Sequence, residues 1–232
     1  MKYLFIGDIH GDLKLVKFLL KNFSQYILCF IGDILDGIHD TYSDIECLKL
    51  ILKSDSILLR GNHEEGYLYM SQRCTGFNPI TYLLFQEVKD EYLNKSKYFL
   101  YIKEHNVLVT HAGLTKILWD EFNFNTNNLE QILNEWSLNP NMSPIHWIGS
   151  CRGGYSKTGG ILWCDYNYEF KPVPCIKQIF GHTSWLKDKD SNGIRKIDDN
   201  YNIDCLLRQY SLLELDLKSG IFSEITIPYN YV

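Results

Sequence analysis

The sequence predicts an α/β protein with two packed, mixed β-sheets flanked by helices, and three observations carry that expectation. Apolar strands and amphipathic helices alternate through the first sixty residues, helical segments fill much of the middle, and short apolar runs dominate the last third. A β-α-β-α-β start implies parallel strands joined by right-handed crossovers. One domain across residues 1–232, with a second sheet formed by the strand-rich ending, is the simplest account.

KYLFIG (2–7) is the first strand. DLKLVKFLLKNF places Leu13, Val16, Leu19 and Leu20 at helical spacing. YILCFIGD is the second strand, and SDIECLKLILK the second helix, with Ser43 or Asp44 as its cap. SILLRGNHE reads as a third strand running into a loop. NPITYLLFQEVKDEYL carries Pro79 where a first helical turn tolerates it, and NNLEQILNEW has Leu129, Ile132, Leu133 and Trp136 on one face. Between these helices YFLYIKEHNVLVTHAG reads as two strands joined near His105–Asn106. Residues 137–160 are rich in Pro, Ser and Gly without a sustained period, which predicts an irregular loop inserted over one face and shaping substrate access. ILWCD, IKQIFGH, GIRKID, YNIDCLL, SLLELDL and IFSEITI complete the strands, the last two joined by a KSG turn.

Composition narrows the function. The formal charge of −5 and pI of about 5.8 argue against generic nucleic-acid binding, which rests on basic surface. A small anionic substrate stays open, because a bound metal would dominate the local field. Seven cysteines, an odd number with no C-x-x-C pair, read as core thiols in a reducing compartment. With no long uncharged apolar segment, a membrane span is not expected and a cytoplasmic location is.

The chemistry lies at the ends of the strands. The first runs into GDIHG with Asp8 and His10, the second into GDILDG with Asp33 and Asp36, the third into GNHEE with Asn62 and His63. Two later strands end in THAG with His111 and in FGHTS with His182. Each fragment alone is ordinary turn chemistry. Five together gather carboxylates and imidazoles at one end of a sheet, where α/β proteins bind ligands. Asp8, Asp33 and Asp36 would repel one another there, and divalent cations resolve that repulsion.

In order and type these residues resemble the calcineurin-like metallophosphoesterase superfamily, and within it the serine/threonine phosphoprotein phosphatase branch with its small bacterial and bacteriophage-lambda-type members. The family pattern G-D-x-H-G, G-D-x-x-D, G-N-H-E, a later His and G-H-T is met from Gly7 to Thr183. The resemblance implies a four-layer sandwich and a dinuclear centre. Asp8, His10 and Asp33 would hold one ion; Asp33 would bridge to a second held by Asn62, His111 and His182. It implies two divalent ions, Mn²⁺ first with Fe or Zn²⁺ as alternatives, since oxygen and nitrogen donors without thiolates suit all three. It implies phosphomonoester hydrolysis, on a phosphoprotein or small phosphorylated compound, by direct attack of a metal-bound hydroxide. His63 would protonate the leaving oxygen and Asp36 would orient it.

The pattern is departed from in three places. The phosphatase branch places a phosphate-binding arginine after the second motif's last aspartate, where this chain has Gly37. A second family arginine has no clear match; Arg152 is the nearest, with Lys157 behind it. Losing a bidentate fork weakens monoester recognition more than diester recognition, so a nucleotide phosphodiesterase or dinucleoside polyphosphate hydrolase is the alternative. Ser184 stands where many diesterases of the superfamily have a second histidine, which favours the phosphatase branch. A metal-binding scaffold without activity is the rival outside enzymes, and the His63–Asp36 pair opposes it. Glu64 and Arg60 are expected to form structural ion pairs.

Overall fold

Strand β1 (Lys2–Ile6) is apolar on both faces because both are covered. Leu4 and Ile6 pack toward helices α1 (Leu13–Asn22) and α2 (Thr41–Lys53), whereas Phe5 faces a second sheet. The same alternation runs through β2 (Ile27–Phe30), where Leu28 and Phe30 meet the helices and Cys29 meets the sheet, and through β3 (Ile57–Leu59). This is how a strand buried on both sides is written in sequence. The computed structural model describes residues 1–37, 40–70, 74–184, 193–206 and 209–228.

Beyond β3 come α3 (Asn62–Tyr69), α4 (Pro79–Lys95), β4 (Ser96–Lys97), β5 (Phe99–Ile102) and β6 (Val107–Thr110). Then follow α5 (Lys116–Glu121), α6 (Leu129–Leu138), β7 (Lys177–Phe180), β8 (Arg195–Ile197), β9 (Asn200–Asn202), β10 (Tyr210–Asp216) and β11 (Ile221–Ile227). One sheet has the order β11-β10-β1-β2-β3-β4 and the other β5-β6-β7-β9-β8. The first sheet runs parallel through β1-β2-β3-β4, with antiparallel β10 and β11 beyond β1; the second runs parallel through β6-β7-β9, with antiparallel β5 and β8 at its edges. Phe5, Ile31, Val107, Val109, Ile179 and Leu213 fill the space between the sheets. Leu108 points the other way, into a cluster with Leu118 of α5 and Leu133 of α6. The layers are therefore helix, sheet, sheet, helix, as expected.

Several boundaries differ from the sequence reading. The cap of α2 is Asp40, whose side chain accepts the N–H groups of Tyr42 and Ser43, not Ser43 or Asp44. Asp44 is instead buried and turns back to Gly37. The third strand stops at Leu59 and its motif residues open α3, so GNHE is a helix start rather than a loop. ILWCD is a series of turns and not a strand. YNIDCLL keeps only its first residues in β9; Leu207 lies outside the described residues. The irregular segment begins after Leu138, because α6 runs that far, and three short 3-10 turns give it shape. Among the described residues, no helix is long and apolar enough to cross a membrane.

Candidate active site

The central parallel strands of both sheets release their chains toward one cavity of about 430 Å³. Asp8 and His10 follow β1, Asp33 follows β2, Asn62 and His63 follow β3, and His182 follows β7; all six line it. His111 follows β6 and is fully buried behind them. Four site residues (His10, Asp33, Asp36 and His182) have φ between 46° and 67°, a conformation that is costly without a glycine and that collects at functional sites. Two glycines permit the crowding. A Cβ at Gly61 would collide with the backbone and carboxylate of Asp33, and one at Gly37 would collide with the His10 carbonyl. Gly37 is thus a packing requirement of the loop in this chain, which accounts for the missing arginine there.

Donor atoms converge on two points. His111 Nε2 lies 2.8 Å from Asn62 Oδ1, 3.3 Å from His182 Nδ1 and 3.3 Å from Asp33 Oδ2; His182 Nδ1 lies 2.8 Å from Asn62 Oδ1. Ligand bonds of about 2.0–2.1 Å give ligand-to-ligand edges of about 2.8–3.4 Å, so four donors packed this closely have the spacing of a coordination shell. The other ring nitrogens agree. His111 Nδ1 is 3.0 Å from the Ile31 carbonyl and His10 Nδ1 is 2.9 Å from the Leu35 carbonyl. Each carbonyl holds a proton on Nδ1 and leaves Nε2 as a lone pair facing the cavity, the outer hydrogen bond that metal-binding histidines make. His10, Asp33 and His63 form a second close group.

The charges point the same way. Burial, then Asp204 and Asp33, push the Asp8 carboxyl well above its ordinary range. Asp33 is buried too, yet His111, His63 and His10 hold it well below. Burial lowers His10, and burial with His111 and Arg152 lowers His182, so both imidazoles are neutral and able to ligate. Buried carboxylates beside neutral imidazoles make a site that gains from divalent cations. The donor set fits such ions.

His63 differs from its neighbours. Its Nδ1 meets Asp36 Oδ2 at 2.8 Å, and its Nε2 is 3.8 Å from Asp33 Oδ2. Burial opposes protonation of the ring, but Asp33 and Asp36 raise it to about 9. A cation on Asp33 would remove part of that lift.

Arg152 reaches the same cavity from the irregular segment. Its Nε is 2.8 Å from Asp165 Oδ2 and its Nη2 donates to Thr183 Oγ1 at 3.0 Å. Asp165 closes the ILWCD stretch and Thr183 follows His182, so the guanidinium is pinned at the rim. Lys157 pairs with Glu121 and does not line the cavity. Ile148 and Trp163 form apolar wall beside Arg152. The segment is tied to α3 by His146, whose Nε2 is 2.7 Å from Glu65 Oε2.

Some residues were not anticipated. Arg60 does pair, with Glu65 at 3.4 Å, but Glu64 makes no ion pair with it. Glu64 is fully buried and accepts four backbone N–H groups, from Asp33, Ile34, Leu35 and Gly61. Tyr67 donates to Asp36. A helical reading of NHEEGYLY would have found it, because positions 63 and 67 share a helix face. Asp204 lines the cavity after β9; a further strand ending in Asp was the available signal. Cys74 accepts the Asn62 side-chain N–H at 3.0 Å, a contact sequence does not announce.

The model of the calcineurin-like phosphoesterase family matches residues 1–206. "Shewanella-like protein phosphatase 1" of Plasmodium berghei (strain Anka) is 26% identical over 200 residues, covering 71% of this chain and 51% of the relative. The chain thus spans about half the length of that curated protein. Among solved structures, a candidate diadenosine tetraphosphatase superposes with a TM-score of 0.51 at 15% identity, covering 98% of this chain and 94% of the other. A serine/threonine phosphatase of Saccharomyces cerevisiae, with similarity to human phosphatase PP5, gives 0.50 at 14% identity, covering 98% and 80%. At these identities the two structures share the fold.

Proposed function

Because this chain belongs to the calcineurin-like phosphoesterase family, we propose that it is a metal-dependent phosphoesterase that hydrolyses phosphomonoesters, of a phosphoprotein or a small phosphorylated compound, at a dinuclear centre. We assign the first ion to Asp8, His10 and Asp33 and the second to Asp33, Asn62, His111 and His182. Such ions, Mn²⁺ above Fe or Zn²⁺, supply Lewis-acid polarisation of the phosphoryl oxygens and a lower pKa for water. In this reading residues 1–232 act as one domain in the cytoplasm.

The observation that carries the proposal is the polarity of the cavity. Metal donors form its floor, Arg152 stands at one side, and His63 with Asp36 stands apart from the closest donor cluster. Arg152 would grip the phosphoryl oxygens, held in plane by Asp165 and Thr183. Water attacks phosphorus and the bond from phosphorus to the leaving oxygen breaks. That oxygen departs with its electron pair and takes the proton from His63 Nε2, giving an alcohol and inorganic phosphate. Asp36, accepting Nδ1–H, stabilises the protonated ring and fixes its orientation.

Hydrolysis of diesters or dinucleoside polyphosphates is a second reading. It is favoured by Gly37, and by Arg152 being the one arginine or lysine among the described residues that line the cavity. The deciding experiment supplies Mn²⁺ to purified protein and offers p-nitrophenyl phosphate, bis-p-nitrophenyl phosphate, phosphopeptides, cyclic nucleotides and dinucleoside polyphosphates. Preferred turnover of monoesters is the expected result. Preference for a diester or polyphosphate would install the second reading, and metal binding with no turnover would favour a scaffold.

A further inference from the structure

The geometry points to Tyr67 as a positioning residue for proton transfer: its O–H holds Asp36, and through Asp36 the imidazole of His63, without touching substrate. The inference rests on the acid role proposed for His63.

The hydrogen bonds run in one direction. The Asn78 backbone N–H donates to Tyr67 Oη at 2.9 Å, so the phenol's own hydrogen must serve another acceptor. Asp36 Oδ1 takes it. Asp36 Oδ2 accepts from His63 Nδ1 at 2.8 Å. Each oxygen of the carboxylate therefore has its own donor, and the Asp36 side chain is only 1% exposed. Water has little access to replace either partner.

Tyr67 is as confined as the group it holds. It is fully buried, its ring stacks on Phe77 with centroids 4.7 Å apart, and it tilts against Phe85 at 5.9 Å. Burial and the bond to Asp36 raise the phenol above its ordinary value, so it stays a donor through the neutral range. Asn78 is fixed in turn as the cap of α4: its Oδ1 accepts Ile80 N–H at 2.8 Å and its Nδ2 donates to Thr41 at 3.2 Å. A continuous chain thus links the start of α4 to His63. Asp36 itself has φ of 62°, a backbone setting that persists only where surroundings over-determine it.

Losing the phenol O–H would leave one oxygen of a buried carboxylate without a donor and free the carboxylate to turn. The imidazole would follow. The harm should scale with how badly the leaving group needs a proton. Phenolate is a poor leaving group and requires one; p-nitrophenolate departs largely unassisted.

The test compares Tyr67→Phe and His63→Asn with the unsubstituted protein, all loaded with Mn²⁺, on phenyl phosphate and p-nitrophenyl phosphate. For Tyr67→Phe, kcat on phenyl phosphate should fall about ten- to a hundredfold, the size of loss seen when the outer hydrogen-bond partner of a metal-binding side chain is removed. On p-nitrophenyl phosphate the loss should stay below about threefold, with KM and metal content unchanged. A second readout is independent of turnover. In Zn²⁺-loaded protein the low-field proton resonance of His63 Nδ1–H should vanish in His63→Asn and shift in Tyr67→Phe. Equal loss on both esters, or no loss with an unmoved resonance, overturns the inference. If His63→Asn itself shows no dependence on leaving group, the acid role falls instead, and the unshifted or shifted resonance still reports whether Tyr67 holds Asp36.

Discussion

Glu64 and Asp33 are joined directly: Glu64 Oε2 accepts the Asp33 backbone N–H at 3.0 Å, and also that of Gly61 at 3.1 Å. Oε1 takes Ile34 at 2.8 Å and Leu35 at 3.0 Å. One carboxylate thereby ties the loop that carries Asp33 to the helix that carries Asn62 and His63. Charge-assisted bonds of this kind are stronger than neutral ones and expensive to leave unmade.

Glu64→Gln keeps the shape but turns an NH₂ group toward backbone donors. It should cost about 1–3 kcal/mol of stability, the range for a buried donor left unpaired, and weaken Mn²⁺ binding. Thermal unfolding and metal titration measure both. An unchanged melting temperature would remove Glu64 from this role.

Asp44 gives a pH-dependent prediction. It is buried beneath the Gly37 loop, and desolvation raises its carboxyl to about 6. The unfolded chain releases that proton near 3.8, so between about 4 and 6 the folded state binds more protons and stability falls as pH rises. Asp44→Asn removes the titration while keeping an acceptor for Gly37 N–H. The variant should therefore gain stability relative to the parent as pH climbs from about 4 to 6, with no further gain above. Melting temperatures of both proteins at pH 4, 5, 6 and 7.5 test this; parallel curves would contradict it.

Much of this architecture was legible because few physical solutions exist. Two-faced apolar strands such as Phe5 between Leu4 and Ile6 can only be sandwiched, and five such strands ending in Asp, Asn or His could hardly be coincidence. What stayed hidden was set by tertiary contact. The ILWCD run has strand composition, but its turns, entered through Gly159 and Gly160, serve to place Asp165 against Arg152. Glu64 read as a member of a structural ion pair because a glutamate's burial depends on donors brought from Asp33 and its neighbours, thirty residues earlier. Tyr67 and Asp204 carried only faint signals, a helical phase shared with His63 and one more strand ending in Asp, which the contacts with Asp36 and the cavity make meaningful.

Arg152 is tested by separating binding from turnover. Arg152→Ala should raise KM about ten- to a hundredfold, from loss of charge-assisted bonds worth about 1.5–3 kcal/mol, with kcat altered much less. Asp165→Asn, which frees the guanidinium from its 2.8 Å partner, should raise KM by a smaller factor. Steady-state kinetics on the best substrate of the panel decide it. Unchanged KM in Arg152→Ala would return the residue to the loop surface.

The shared position of Asp33 makes the metal count itself predictive. His111 Nε2 stands 3.3 Å from Asp33 Oδ2, and Asp33 belongs both to the close group that includes His10 and to the one that includes His111 and His182, so both donor groups close on one carboxylate. Removing a ligand that serves one ion should leave the other. Removing the shared ligand should disturb both. Protein loaded with Mn²⁺ and desalted should hold about two ions per chain, His111→Ala about one, and Asp33→Asn fewer than one. Each ion also stabilises by mass action, about 2.7 kcal/mol at a hundredfold excess over its Kd, so chelation should lower the melting temperature and Mn²⁺ should restore it. Elemental analysis and calorimetry on the same samples test both statements. If Asp33→Asn and His111→Ala lost the same single ion, Asp33 would serve one site only and the two donor groups would have to be read as independent.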